Sequence, residues 1–422
     1  MSEQSSRTTE KALAINLDPT TYGTIVEIGA GQEVARQFFQ AGAAAGTIAK
    51  TMSAYDMKFS DEIYGAAPGN RYVSRARLDR MLEVEYQLVI ERIQDQRPPD
   101  TRFFAFADSV AAQGFKKRAD CHGWLGVRFQ LKPKTPPDNI ILHVRMFDDT
   151  NLKQQEALGI LGVNLIYGAY NHTDQPVKLL AGLMDNLRRG RVEIDLIEFS
   201  GPNLGAIDNH LMALELVKAG LTRAVLFDPA GKVVSPADVI YKKRVLAMRG
   251  QFLTVEQQDI DRFSHAKQRF QTRTSGNTTE ILSLAELTMA QMFDGQKIST
   301  TDFLERVNRL AESGYYVLIS EFFRYFRLNQ YLDRYSREPT AFVTDLEGFG
   351  EVFNEGYYDN IPGGILEALG QLFTPGTVLY VYTQGLPITL NELPVEDGVR
   401  PLLSYLHARG QIEIVDEDPS LG

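Results

Sequence analysis

Three polar side chains suited to acid–base chemistry lie close together in the N-terminal half of this chain. His143 and Arg145 alternate along a predicted strand, Ile140 to Met146, which places both on one face, and Asp148 lies just past its end. An imidazole, a fixed cation and a carboxylate can together move a proton and hold an anion. We predict catalytic roles for His143 and Asp148 and substrate binding by Arg145. The alternative is that these alternating polar residues face water.

A glycine-rich turn, Glu27-Ile-Gly-Ala-Gly31, follows a predicted buried strand and precedes a predicted helix, Gln32 to Ala41. Backbone N–H groups in such a turn can approach a ligand, and the N-terminus of the helix favours an anion. Gly29 and Gly31 are therefore predicted substrate contacts. Glu33 stands near the third small residue of the nucleotide-binding fingerprints, so a tight turn that needs glycine is the alternative.

Two arginines, Arg75 and Arg77, lie two residues apart in the polar and aromatic segment Ser53 to Arg77. On an extended segment they would share a face and could hold a carboxylate or a phosphate. We predict substrate binding by both arginines. On a helix they would diverge, and the alternative is that they form ion pairs that fasten a loop.

Other groups of residues give weaker evidence of a chemical role. Cys121 and His122 are neighbours on a predicted strand, so they point to opposite faces, and a structural pair is favoured. The six histidines do not have the spacing of a metal site, so no metal ligand is assigned. The cofactor is unknown, and magnesium held by carboxylates is the candidate that the sequence leaves open.

Several polar residues lie at or just after predicted strand ends in the second half of the chain. Ligands of parallel sheets bind outside the carboxyl ends of the strands, so a site there is a further hypothesis. The residues concerned are Glu198, Asp208, Asn209, Asp228, Arg249, Glu321 and Asp345.

The elements that would position these residues change character along the chain. Residues 1–20 are polar and are predicted to be a flexible tail. Residues 21–175 are predicted to form an α+β domain that contains an antiparallel meander. Its strands are Phe103 to Val110, Trp124 to Leu131 and Ile140 to Met146, with the proline-rich link Lys132 to Pro137 as a loop.

Helices and strands alternate in the rest of the chain, which predicts a largely parallel sheet. Residues 176–254 form the first α/β segment, whose first predicted strand is Val192 to Phe199, and residues 301–422 form the second. We expect the two segments to share one sheet, with residues 255–300 as a helical connector between them. The predicted fold class is therefore α/β, with an α+β portion followed by an alternating α/β region.

Composition argues against several classes of protein. The chain carries 44 Lys and Arg against 54 Asp and Glu, so a concentrated basic face for nucleic acid is not expected. Its apolar runs are shorter than the roughly 20 residues of a membrane span, and residues 1–9 hold no apolar leader. With one cysteine it can form no intrachain disulfide. The predicted location is cytoplasmic, without nucleic-acid or membrane partners.

Several stretches resemble an uncharacterised family of bacterial cytoplasmic proteins over nearly the whole chain. They are Glu27 to Arg36, Gly46 to Lys50, Ser53 to Asp56, Cys121 to Trp124, Gln154 to Gly159 and Tyr241 to Lys243. Some members carry the label nicotinate-mononucleotide adenylyltransferase. Those enzymes use a His-x-Gly-His motif and a later Ser/Thr-rich motif ending in Arg, and neither occurs here. The resemblance implies nucleotide chemistry and no residue roles.

These observations predict an enzyme that acts on a nucleotide-like or phosphorylated small molecule, with a transferase as one form of it. The predicted partner is a small anionic molecule, and the chain is expected to be a homo-oligomer. The rival hypothesis is a non-catalytic homo-oligomeric assembly or adaptor protein, in which the polar motifs are interface networks.

Overall fold

The structure, a computed structural model, describes residues 3–114, 120–253, 256–289 and 300–416, with side chains from residue 7 onward. The chain forms two compact units, Met1–Thr222 and Arg223–Gly422. Both contain helices and a mixed sheet, which confirms the predicted α/β class. Among the described helices, none has the length and apolarity needed to cross a bilayer.

The first unit contains six strands and seven helices within its described residues. The strands are β1 (Thr21–Ile28), β2 (Ile48–Met52), β3 (Arg102–Ala111), β4 (His122–Phe129), β5 (Asp138–Met146) and β6 (Val192–Ser200). The helices are α1 (Glu3–Asn16), α2 (Glu33–Ala41), α3 (Met57–Tyr64), α4 (Arg75–Ile93), α5 (Asn151–Asn171), α6 (Pro176–Leu183) and α7 (Asn209–Lys218).

The sheet of the first unit has the order β2-β1-β3-β4-β5-β6. Strands β2, β1 and β3 are parallel, whereas β3 to β6 are antiparallel neighbours, so the predicted meander is present. Helix α4 packs closely on β3 and β4 because Gly126 leaves room for it. A Cβ on Gly126 would lie 2.9 Å from the Leu82 side chain.

The predicted flexible tail is wrong from residue 3 onward, because Glu3–Asn16 is helix α1. Lys11 donates to Asn164 Oδ1 at 2.8 Å and pairs with Asp185 at 2.7 Å. Asn16 donates through Nδ2 to the carbonyl of Phe38 at 2.9 Å. Long-range side-chain bonds therefore hold a segment whose polar composition had suggested disorder.

The second unit contains eight strands and seven helices within its described residues. The strands are β7 (Ala224–Phe227), β8 (Val233–Val234), β9 (Arg244–Arg249), β10 (Ile281–Thr288), β11 (Tyr316–Ser320), β12 (Thr340–Thr344), β13 (Val378–Tyr382) and β14 (Ile412–Val415). The helices are α8 (Pro236–Val239), α9 (Gln257–Arg273), α10 (Thr300–Glu312), α11 (Tyr325–Leu332), α12 (Leu346–Val352), α13 (Gly364–Leu372) and α14 (Arg400–Ala408).

The sheet of the second unit has the order β14-β13-β12-β9-β10-β11-β7-β8. The six strands β9 to β14 are parallel to one another, and β7 and β8 extend the sheet antiparallel beyond β11. Counted from β9 as the first, the parallel strands run 3-2-1-4-5-6 across the sheet. This is the order of doubly wound dinucleotide-binding folds.

Two sequence expectations need correction at the level of elements. The predicted helical connector, residues 255–300, contains strand β10, because its apolar stretch lies inside the sheet; residues 290–299 lie outside the described residues. Strand β6 was assigned to the alternating parallel region, but it pairs antiparallel with β5 at the edge of the first sheet. The predicted boundary after residue 175 therefore falls inside the first unit.

Candidate functional site

The glycine turn after β1 is organised by the protein itself. Gly29 has φ +101, and a Cβ there would lie 1.9 Å from the carbonyl oxygen of Val110. Gly31, with φ +77, donates its N–H to the Tyr55 hydroxyl at 2.8 Å. No other residue type fits the position of Gly29 without moving β3. These contacts favour the alternative interpretation, a turn that requires glycine.

The N-terminus of α2 is already occupied by a carboxylate. Glu27 accepts hydrogen bonds from the N–H groups of Val34 at 2.8 Å and Ala35 at 3.0 Å. A second buried carboxyl group, Asp108, accepts from the N–H of Ile28 at 3.1 Å. Burial raises the pKa of Glu27 to about 7, and burial together with the charge of Glu27 raises the pKa of Asp108 well above its usual value. A phosphate would meet these acids, so the turn is poorly suited to bind one.

Both predicted arginine contacts are engaged within the protein. Arg75 pairs with Asp79 at 2.9 Å and with Glu198 at 2.8 Å, and the buried Arg77 pairs with Asp61 at 2.5 Å. Both arginines lie on helix α4 rather than on an extended segment, so the case in which they would share a face does not apply. Ion pairing, the alternative weighed from sequence, describes their contacts.

His143 lies in a buried chain of three side chains across neighbouring strands. Its Nδ1 lies 2.5 Å from Asp195 Oδ1, and its Nε2 lies 3.1 Å from Nδ1 of His122. The Trp124 ring packs on it, with ring centroids 4.8 Å apart. Because His143 has no exposed surface, it cannot touch a substrate as the sequence predicted. We call His122, His143 and Asp195 the histidine relay.

Arg145 and Asp148 do not converge on His143. Arg145 is buried and pairs with Asp120 at 3.0 Å, whereas Asp148 pairs with Arg191 at 2.7 Å. The prediction of one cluster formed by His143, Arg145 and Asp148 is therefore wrong. Asp148 lies beyond the strand end, where the chain turns toward α5 and its side chain meets a different partner.

The sequence did not connect His122 with His143, and it did not single out Asp195. In the antiparallel register His122 faces Arg145, and Trp124 faces His143, so His122 is a diagonal neighbour of His143. This register could have been inferred from the proline-rich loop of the hairpin. Asp195 could not have been found, because its strand was assigned to the other sheet.

The second unit carries a cleft of about 270 Å³ at the carboxyl ends of β9 and β12. These two strands are neighbours, and the chain runs outward from them in opposite directions along the sheet. Such a reversal leaves a crevice in which doubly wound folds bind their ligands. The lining residues, which we call the switch-point cleft, are Met248 to Leu253, Glu256, Asp259, Arg262 and Val343 to Asp345.

A buried charge network supports the base of the switch-point cleft. Arg249 binds both carboxylate oxygens of Glu286, at 2.7 and 3.0 Å, and donates to the carbonyl of Phe322 at 2.9 Å. Ser320 donates to the same carboxylate at 2.6 Å, and the guanidinium of Arg249 lies 4.6 Å from the centre of the Tyr325 ring. Burial alone would lower the pKa of Arg249, but its carboxylate partner outweighs this and raises it. The network fixes the ends of β9, β10 and β11 relative to one another.

The loop after β9 holds a strained residue against the cleft. Phe252 is buried and has φ +43, a conformation that bulky residues rarely adopt. Its ring packs over Gly250, where a Cβ would lie 3.0 Å from it. Backbone strain of this kind concentrates at functional sites. The strained conformation of this loop therefore lowers the stability of the folded protein.

Carboxylates cap the two helices that begin at the cleft. Glu256 and Asp259 form a capping box at the start of α9, and Asp345 accepts the N–H of Gly348 at 2.8 Å at the start of α12. The cationic lining residue Arg262 lies with its guanidinium 5.6 Å from the centre of the Tyr382 ring. The hydroxyl or amine groups of a ligand would therefore find hydrogen-bond acceptors in the cleft. Both helix N-termini are capped by carboxylates, so they are poorly suited to bind a phosphate.

Only two of the strand-end residues singled out from the sequence meet in the cleft, namely Arg249 and Asp345. The others are used elsewhere: Glu198 pairs with Arg75, Asp208 caps α7, and Glu321 pairs with Arg223 at 2.7 Å. Among the described residues, no group of three or more His, Cys, Asp or Glu is arranged to hold a metal ion.

Comparison with known proteins yields solved structures of low similarity. No protein-family model and no curated protein matches the chain. The competence/damage inducible protein CihA from Agrobacterium tumefaciens is 16% identical, with 41% of this chain and 100% of that chain covered and a TM-score of 0.30. A competence-damaged protein (CinA) superfamily protein from Enterobacter cloacae is 10% identical, with 40% and 95% covered and a TM-score of 0.30. TM-scores this low carry no functional argument.

Proposed function

We propose that the protein binds a nucleotide-like small molecule in the switch-point cleft of its second unit. The observation that carries this proposal is the parallel strand order 3-2-1-4-5-6 with a cleft where the order reverses. The strained Phe252 and the network beneath Arg249 support it, because both shape the surface of this cleft.

The lining chemistry selects the nucleoside portion of such a ligand. Carboxylates such as Asp345 and Glu256 accept hydrogen bonds from ribose hydroxyls, as an acidic residue does in dinucleotide-binding folds. The volume of about 270 Å³ lies near the lower end of ligand pockets, roughly 300–1,000 Å³, and suits one nucleoside. Arg262 is the lining cation that a charged extension of the ligand would meet. In a transferase, the cleft would hold the nucleotide-like donor.

Isothermal titration calorimetry with the four ribonucleosides, their 2′,3′-dideoxy forms and inorganic phosphate tests the proposal. At least one ribonucleoside is expected to bind, and its dideoxy form to bind at least tenfold more weakly. Asp345→Asn should weaken the ribonucleoside roughly 10–100-fold, because a hydrogen bond to a charged group contributes about 1.5–3 kcal/mol. Asparagine still caps the helix, so α12 should persist.

Asp208→Asn is the matched control, since Asp208 also caps a helix, α7, by accepting from the N–H of His210 at 2.9 Å. It should leave the affinity unchanged. The proposal fails if no ribonucleoside binds, if inorganic phosphate binds and no ribonucleoside displaces it, or if the two variants behave alike. Failure in the first way, together with a stable homo-oligomer, would favour the rival assembly or adaptor function.

A further inference from the structure

The histidine relay joins a buried carboxylate to a partly exposed imidazole in the first unit. Asp195 is the extra residue of a bulge: His143 faces Leu196, the next residue of β5 faces Ile194, and Asp195 is skipped. Bulges re-aim side chains, and this one turns the Asp195 carboxylate onto the His143 ring. From His143 the hydrogen bonds continue to His122, which is partly exposed at the start of β4.

The carboxylate determines the tautomer of both rings. A carboxylate at Asp195 can only accept, so in a neutral His143 the proton is on Nδ1 and the lone pair is on Nε2. That lone pair accepts the Nδ1–H of His122, and Nε2 of His122 is left with a lone pair of its own. The proton positions follow from the hydrogen-bond network, given the ring orientations.

The energetics of the histidine relay also differ from those of an ordinary structural pair of side chains. Oδ2 of Asp195 is buried and accepts no hydrogen bond from the described residues, which costs stability. Burial lowers the pKa of His122, and His143 and Arg145 lower it further, against Asp120 and Asp195, which raise it. His122 is therefore neutral near pH 7 and able to accept a proton.

We propose that Nε2 of His122 is the proton acceptor of a second site, which takes the proton from a water molecule or from the hydroxyl group of a small molecule. The O–H bond breaks, its electron pair stays on the oxygen, and the proton binds Nε2. His143 and Asp195 are positioning residues that hold His122 in the basic tautomer, and the charge of Asp195 favours the imidazolium. This site is independent of the proposed nucleoside cleft.

Nitrogen-15 NMR of the full chain with labelled histidine tests the tautomer directly. At pH 7 His122 is expected to show a protonated Nδ1 and an unprotonated Nε2. In Asp195→Asn, the amide can donate to Nδ1 of His143, which reverses both tautomers and places a proton on Nε2 of His122. Asp148 lies at the same end of the sheet but pairs with Arg191, so Asp148→Asn should leave both histidine tautomers unchanged.

Carbethoxylation of His122 by diethyl pyrocarbonate gives a second readout. The rate of His122 carbethoxylation should be about tenfold lower in Asp195→Asn than in the wild type, as expected when a supporting hydrogen bond is lost. The exposed His407, whose Nδ1 lies 3.1 Å from the carbonyl of Ile412, is the internal reference and should react equally in both. A wild-type His122 that is charged or protonated at Nε2 at pH 7 overturns the proposal without any variant. So does a tautomer that Asp195→Asn does not change.

Discussion

Glu27 and Asp108 are two buried carboxyl groups at facing positions of the neighbouring parallel strands β1 and β3. Each accepts backbone N–H groups, yet burial raises the pKa of both, and the charge of Glu27 raises the pKa of Asp108 further. A carboxyl group whose pKa is raised in the folded state stabilises the protein fully below its unfolded pKa. That contribution is lost as the pH rises through the folded value, about 7 for Glu27.

Asp108→Asn should therefore flatten the decline in stability between pH 5 and pH 8. Asparagine keeps an acceptor for Ile28 but has no proton to lose, so the cost of ionising a buried Asp108 disappears and the variant should gain on the order of 2 kcal/mol relative to wild type across this range. Urea unfolding followed by fluorescence of Trp124, the single tryptophan, measures this in the first unit. Equal slopes for both proteins would contradict the assignment.

Asp18→Asn is the control with the opposite sign. Burial raises the pKa of Asp18, but hydrogen bonds from Thr21 and Thr20 and the charge of Arg102 outweigh it, and the net pKa is lowered. Its stabilising contribution is present above the unfolded pKa and is lost as the pH falls. The loss of stability in Asp18→Asn should accordingly be largest at neutral pH and shrink in acid.

Gly29→Ala should destabilise the first unit by more than about 2 kcal/mol, because strain at positive φ adds to a collision with Val110. Gly42→Ala is the matched variant: its φ is +83, but nothing lies within 4 Å of the new Cβ. It should cost only the backbone strain, on the order of 1–3 kcal/mol, and less than Gly29→Ala. Chemical denaturation compares the two, and equal losses would show that the close approach to β3 is unimportant.

At the scale of elements, the sequence predicted strands that alternation or apolar runs mark clearly. Strand β1 and the meander of β3, β4 and β5 lie where expected, because turn residues and proline bound them. Strand β10 was missed because its short apolar run, Ile281–Thr288, has no periodicity that separates a strand from a buried helix. Strand β6 was found but placed in the wrong sheet, since pairing is decided by contacts distant in sequence.

The candidate site was predictable to a similar extent. Arg249 and Asp345 could be singled out as strand-end residues, but their meeting depends on β12 lying next to β9, a crossover that no local pattern encodes. The predicted role of His143 was wrong for a different reason, namely that the burial of its side chain could not be predicted. Alternation along a strand gives the face of a side chain and leaves its burial undetermined.

A double-mutant cycle tests the network that joins β9, β10 and β11. Arg249→Met or Glu286→Gln alone should cost about 3–5 kcal/mol, since each leaves a buried group without its partner, and the double variant should cost about 2 kcal/mol less than the sum. The exposed pair Arg309 and Glu305 should give a coupling below about 0.5 kcal/mol. Urea unfolding followed by circular dichroism supplies the values; additive losses at Arg249 and Glu286 would contradict the network.

At the scale of the whole molecule, each unit has its own sheet and its own core. The fragment of residues 223–422 should therefore unfold cooperatively and bind the same ribonucleoside as the full chain, within about threefold in affinity. Calorimetry on the purified fragment checks both expectations. A fragment that folds but does not bind would mean that the ligand needs the first unit. The predicted homo-oligomer stays a prediction, which mass photometry of the full chain measures.

Photo-crosslinking tests the central claim most directly, because it reports where the ligand lies. An azido derivative of the tightest-binding ribonucleoside, irradiated with the full chain and mapped by mass spectrometry, should label peptides that contain residues 248–262 or 343–345. Excess parent nucleoside should abolish the labelling, and Asp345→Asn should reduce it. Specific labelling confined to residues 1–222 would contradict a nucleoside site in the switch-point cleft.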